Sequence, residues 1–224
     1  RRDDRATWRA VEPGLSIARF VFLRVLGLCL VCAFVALFEQ LPGLIGPDGI
    51  SPLDGMLASH RRNDGCTPWA TVPTLLWLWP SCGFAQALAA LGVAAGAALT
   101  LGVGQRLSCL VAYAVWLSFR ALDGGVVRWF NFPFDDLQAE MLVIGTLLAP
   151  WTWSPRTAAP PVPRWVRWLV VWFAFRLMFG PGLAKVLYHA PWRDLTAIDG
   201  FLVAMPHPTA AAAWCHDLGA PFTT

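Results

Sequence analysis

The chain has 224 residues, of which 57% are hydrophobic and 14% charged, with a formal net charge of +3. That charged fraction is well below the ~25% of ordinary soluble domains, so no soluble domain is read here. The few basic residues are scattered rather than gathered into a stripe, which excludes a nucleic-acid binder. The expected class is all-α, a polytopic transmembrane helical bundle whose first partner is the lipid bilayer.

Residues 1–19 are read as a cytoplasmic N-terminal segment, 20–188 as a transmembrane helical domain and 189–224 as an outer or lumenal tail. The chain does not begin with Met and is expected to be part of something longer. Five spans are predicted: Phe20–Phe38, Phe84–Val103, Leu107–Phe119, Phe132–Trp151 and Trp165–Tyr188.

The first span is interrupted only by Arg24 and leads into Glu39-Gln40-Leu41-Pro42. That is no small-residue cleavage site, so the segment stays as a span rather than leaving as a signal peptide. Arg24, five residues from Arg19, is expected to snorkel to the near interface. Cys29 and Cys32 form a CxxC inside the span. Redox pairs work as partly exposed thiolates, so these two are expected to be buried packing residues.

Between the first two spans runs a long outer loop, Glu39–Cys82. Its piece Thr74–Trp79 is too short to span and is expected to be an interfacial helix with Trp anchors. Cys66 and Cys82 share this oxidising location and are a candidate disulfide worth ~3 kcal/mol, with Cys215 a third candidate on the same side.

The second span is uncharged and rich in small residues that suit close helix packing. The third has only 13 residues between Arg106 and Arg120. A simple span needs ~17–25, so it is expected to extend past Arg120 or to tilt. The fourth opens with Asp135 and Asp136, whose charges complement a helix N-terminus. Glu140 shares a face with Asp136 and lies deeper, where it needs a charged partner such as Arg176 or Arg24. Thr157–Pro163 is a stiff Pro-rich connector.

The fifth span carries the most information. Its apolar run from Trp165 contains Arg176 and Lys185 around a Gly180-Pro181-Gly182 break. At ~1.5 Å per residue, Arg176 lies ~16 Å in, near the middle of a ~30 Å core, and Lys185 ~30 Å in. A mid-membrane Arg costs at least ~2.5 kcal/mol unless it faces a partner or a wet cavity. An intramembrane charged site of Asp135, Glu140, Arg176 and Lys185 is therefore expected. The four His residues (60, 189, 207 and 216) show no metal-ligand spacing, and no metal or cofactor is expected.

Orientation follows from the Arg residues flanking the spans. With the N-terminus inside, nine fall on the cytoplasmic side (1, 2, 5, 9, 19, 106, 156, 164 and 167) and five outside (61, 62, 120, 128 and 193). The excess favours the N-terminus in, because short cytoplasmic loops collect Arg and Lys.

Several strings, in order, resemble the lipase maturation factor family. They are Gly43-Leu44-Ile45-Gly46 with Gly49-Ile50, Pro73–Leu78, Phe132–Glu140 and Leu148–Trp151. The strongest stretch holds Phe175-Arg176-Leu177-Met178-Phe179-Gly180, Gly182, Lys185, Trp192, Arg193 and Thr196. The polar string usual near residues 200–208 in that family is apolar here, and Phe134 stands where the family has Trp. The resemblance implies a non-enzymatic folding factor for secreted lipases or other exported clients. It also implies an integral membrane location, in the endoplasmic reticulum for a eukaryotic chain or the inner membrane for a bacterial one. A shorter resemblance, Gly182-Leu183-Ala184-Lys185, is similar to vitamin K-dependent gamma-carboxylases. It implies the alternative of an intramembrane enzyme with Lys185 as base beside a lipid-soluble cofactor.

Overall fold

Residues 12–64, 68–123, 133–154, 160–194, 196–197, 209 and 214 are described by the computed structural model. The chain divides into two units, Arg1–Pro163 and Arg164–Thr224. Among the described residues every regular element is helical.

In the first unit, α1 (Glu12–Ile45) buries Leu23, Leu26, Leu30, Phe34, Leu37, Leu41 and Ile45. Their spacing of three and four residues draws one stripe along the helix. Phe20, Val25, Leu28 and Val35 are exposed on its other faces. A helix apolar all round with only one stripe in protein contact suits a membrane, where the remaining faces meet lipid. Its 34 residues reach about 51 Å, well beyond a ~30 Å hydrocarbon core.

Two expectations for this helix need correction. It does not stop at Phe38 but continues through Pro42 to Ile45. Proline sits there with only three residues to follow, so it disturbs just the final turn. Cys29 and Cys32 are exposed, not buried. Both lie off the packed stripe, on the face left for lipid.

α2 (Leu53–Asp64), the short α3 (Pro68–Thr71) and a 3₁₀ turn at Leu75–Trp77 follow. The expected interfacial helix at Thr74–Trp79 is thus a single 3₁₀ turn. Thr74 caps it by accepting a bond from the Leu76 N–H at 3.2 Å, and Leu76 inserts fully into the core. The Trp79 side chain stays exposed. Cys82 carries a free thiol, and its candidate partners Cys66 and Cys215 lie outside the described residues.

α4 (Cys82–Leu101) starts at Ser81, whose hydroxyl accepts from the Phe84 N–H, and ends at Gly102. Gly102 has φ +85°, a left-handed conformation that favours glycine, and its N–H closes on the Ala98 carbonyl at 2.8 Å. Gly104 (φ +50°) then starts α5 (Gln105–Arg120), and α6 (Pro133–Leu148) begins on a proline, as helices often do.

These four long helices run alternately up and down. Phe34 of α1 meets Gly92 of α4, while Arg24 meets Leu99. Arg106 meets Ala149 at one end of the α5–α6 pair and Trp116 meets Asp135 at the other. Gly145 of α6 closes the ring against Leu26 of α1. The tightest seam joins α1 and α4, where a Cβ at Gly92 would lie 2.6 Å from the Phe34 ring. Small residues at such a seam let backbones approach, the main source of helix attraction inside lipid.

The end of this bundle where α1 starts is the proximal end, and the opposite end is the distal one. At the proximal end three arginines occupy backbone carbonyls. Arg24 donates to Leu99 at 2.7 Å, Arg106 to Ala149 at 2.9 Å and Arg19 to Pro160 at 2.8 Å. The Leu99 and Ala149 carbonyls lie at helix C-termini, where negative partial charge gathers, and the Leu99 carbonyl also accepts the Gly102 N–H at 3.1 Å. Arg24 therefore does not simply snorkel; it caps α4 and also stacks on the Phe20 ring, 4.6 Å from its centroid.

In the second unit, α7 (Arg164–Tyr188) is followed by the short α8 (Ala190–Arg193). The expected break at Gly180-Pro181-Gly182 does not occur, and α7 runs through Pro181 as one helix. An interior proline removes one backbone bond, a loss that membrane helices tolerate through local readjustment. No Cβ at Gly180 or Gly182 would meet a neighbour within 4 Å. Among the described residues, three helices are long and apolar enough to cross a membrane: α1 over Ser16–Ile45, α4 and α7. α5 and α6, with 16 residues each, reach about 24 Å.

Candidate functional site

The distal end of the first unit gathers the polar side chains. Ile50 and Ser51 donate their N–H groups back to the Gly43 and Leu44 carbonyls at 3.0 and 2.8 Å, folding the chain over the end of α1. Leu53 and Leu57 anchor α2 in the core, and His60 follows them into a buried position. Its Nε2 lies 3.2 Å from the Leu122 carbonyl just beyond α5.

Ser118 on α5 links two elements: its hydroxyl accepts from the Leu75 N–H at 3.1 Å and donates to the Ala114 carbonyl at 2.7 Å. Trp116 packs edge-on against Phe34 and donates its indole N–H to the Asp135 carbonyl at 3.0 Å. Arg120 donates to Asp136 at 2.9 Å, a half-exposed pair tying the end of α5 to the start of α6. Arg61 of α2 stacks over Trp77 with 5.6 Å to the ring centroid.

The result is a rim held by hydrogen bonds from the end of α1, from α2, the 3₁₀ turn, α5 and α6. Ile50, Leu78, Trp79 and Phe134 remain exposed upon it. Such a platform offers apolar contact on a rigid frame rather than a pocket for chemistry.

Of the residues singled out in the sequence, Asp135 joins this rim through its backbone, and Glu140 lies half-buried further along α6. The other members sit in the second unit. Arg176 lies against the Phe173 ring at 5.8 Å, and Phe175 stacks on Phe179 at 4.9 Å. The Lys185 ammonium rests over the Trp192 ring at 4.2 Å, joining two residues seven apart across the α7–α8 corner. That corner is fixed by the Trp192 N–H on the His189 carbonyl and by the Thr196 N–H on the Pro191 carbonyl. Arg193 closes α8 and is exposed.

Sequence reasoning missed His60, Trp116, Ser118 and the carbonyl-capping role of Arg106. Pro150 was the available signal for Arg106: it ends α6 and leaves the Ala149 carbonyl needing a donor.

The sequence profile of the lipase maturation factor transmembrane domain matches residues 17–224. The chain belongs to the lipase maturation factor family. It is 31% identical to lipase maturation factor 1 of Bos taurus over 208 residues, covering 89% of this chain and 37% of that protein. Lipase maturation factor 2 of Homo sapiens is 33% identical over 222 residues, covering 92% of this chain and 31% of that protein. For lipase maturation factor 2 of Gallus gallus the identity is 34% over 212 residues, 89% of this chain and 29% of that protein. The chain thus spans about a third of the length of these relatives. No solved structure matches it. With its apolar helices, this lipase maturation factor family member is an integral membrane protein.

Proposed function

We propose that this chain is the membrane unit of a maturation factor that assists the folding of secreted lipases or other exported clients. The carrying observation is the match to the family's transmembrane domain over residues 17–224. The named roles of the relatives, which are lipase maturation factors, support extending it to lipase clients.

In this reading α5 and α6 cross the membrane as α1, α4 and α7 do, giving five spans. Packing against longer neighbours and flanking arginines that reach the interface compensate for their short length. The N-terminus lies in the cytoplasm, and the distal rim faces the periplasm or the lumen. Its exposed apolar residues then meet partly folded clients as these emerge, since such surface on a polar, latched frame suits protein contact.

The test is made in the natural host. Deleting the full-length protein should lower the activity of an exported lipase per unit of lipase antigen, with its synthesis unchanged. Unchanged specific activity for every exported lipase would remove the lipase assignment.

A further inference from the structure

We infer that Arg19 and Arg106 at the proximal end hold the phosphate of an anionic phospholipid. Both residues are half-buried. Gly145 of α6 lies against Leu23 and Leu26 of α1 and against Cys109 of α5, so Arg19 and Arg106, each about one turn nearer the proximal end, come to the same side of the bundle. Each makes a single hydrogen bond to a carbonyl, Arg19 to Pro160 and Arg106 to Ala149. A guanidinium has five N–H donors, so most of both forks stay available. Among the described residues, neither has a carboxylate within ion-pair distance.

Arg106 is also placed against its own helix. It stands in the first turn of α5, where the macrodipole disfavours a cation. Two neighbouring cations, one at a helix N-terminus, form a site that an anion would neutralise, and a paired fork matches phosphate oxygens.

The surroundings select a lipid rather than a free ion. Arg106 lies over the Trp151 ring at 5.0 Å, and Trp151 and Trp153 are 70% and 73% exposed. Tryptophans of this kind mark the headgroup level of a bilayer. Ile17, Phe20 and Val21 on α1, with Leu107 on α5, are exposed apolar residues beside the two cations. A headgroup on the arginines would lay its acyl chains along these side chains.

Binding is read by native mass spectrometry of the purified full chain, given phosphatidylglycerol or phosphatidylcholine at equal concentration. Only the folded, monodisperse fraction is counted. Phosphatidylglycerol should be retained in preference. Arg19→Gln and Arg106→Gln should each lower its occupancy about fivefold, the weight of one basic residue at an anionic surface. Arg61→Gln at the distal end should leave it unchanged. The double substitution Arg19→Lys with Arg106→Lys should keep part of the binding, because the charge remains while the paired fork is lost. A drop to the glutamine level would instead mean that the arginines serve only as carbonyl caps. Equal retention of both lipids, or full retention in the double glutamine variant, would overturn the proposal. Thermal protection by inorganic phosphate alone, equal to that given by phosphatidylglycerol, would overturn the lipid assignment in favour of a free anion.

Discussion

Gly92 faces the ring of Phe34 with no room for a side chain. Inside lipid the surrounding hydrocarbon is as apolar as the seam, so the seam is held by van der Waals fit rather than by the hydrophobic effect. Gly92→Ala should therefore cost ~1–3 kcal/mol through overpacking, read from unfolding midpoints in mixed micelles. In a Phe34→Ala background, where the ring is gone, the same change should cost much less. Equal losses in both backgrounds would show that this contact does not set the seam. The small-residue character of residues 84–103 announced such packing, but not which glycine would meet which ring. The arginines were legible as charges only. A side chain reveals its sign in the sequence, whereas the carbonyl that receives it depends on where another helix ends. Arg24 meets Leu99 from 75 residues away.

α7 shows where a local rule gave way. Gly-Pro-Gly reads as a breaker because glycine weakens helices and proline removes a donor, yet the helix passes through. Its continuity sets the position of Lys185, whose ammonium lies on the exposed Trp192 face. A cation on an indole ring needs charge and reach, and Arg supplies both. Lys185→Arg should accordingly leave expression and client maturation near normal, while Lys185→Leu should lower stability by ~0.5–2 kcal/mol through the lost contact. A base must shed its proton, which Arg does not do at ordinary pH. A Lys185→Arg chain that inserts and folds normally but loses all activity would promote the enzyme alternative. The distal elements were the least legible part. Thr74–Trp79 carries apolar residues that suit an interfacial helix. The insertion of Leu76 into the core and the Ser118 bond to Leu75 are tertiary facts, and they select a single 3₁₀ turn.

The up-and-down order of α1, α4, α5 and α6 puts the long loop, the His60 contact and the Arg120–Asp136 pair at one end of the first unit, with the capping arginines at the other. The class of the molecule was plain from composition, and the family from ordered strings spread over most of the chain. The helix lengths were not, because α1 outruns its apolar core and α5 falls short of one. With the proximal end in the cytoplasm, a membrane-impermeant thiol reagent should label Ser51→Cys but not Ala158→Cys in intact cells, in a background lacking the native cysteines. Labelling in the reverse pattern would turn the rim away from exported clients. The most direct test places a photo-crosslinking amino acid at Leu78 on the distal rim, or at Thr152 at the proximal end, in cells exporting a lipase. A lipase adduct is expected from Leu78 and none from Thr152. Adducts from Thr152 alone, or from neither position while lipase maturation proceeds, would contradict a client-facing distal rim.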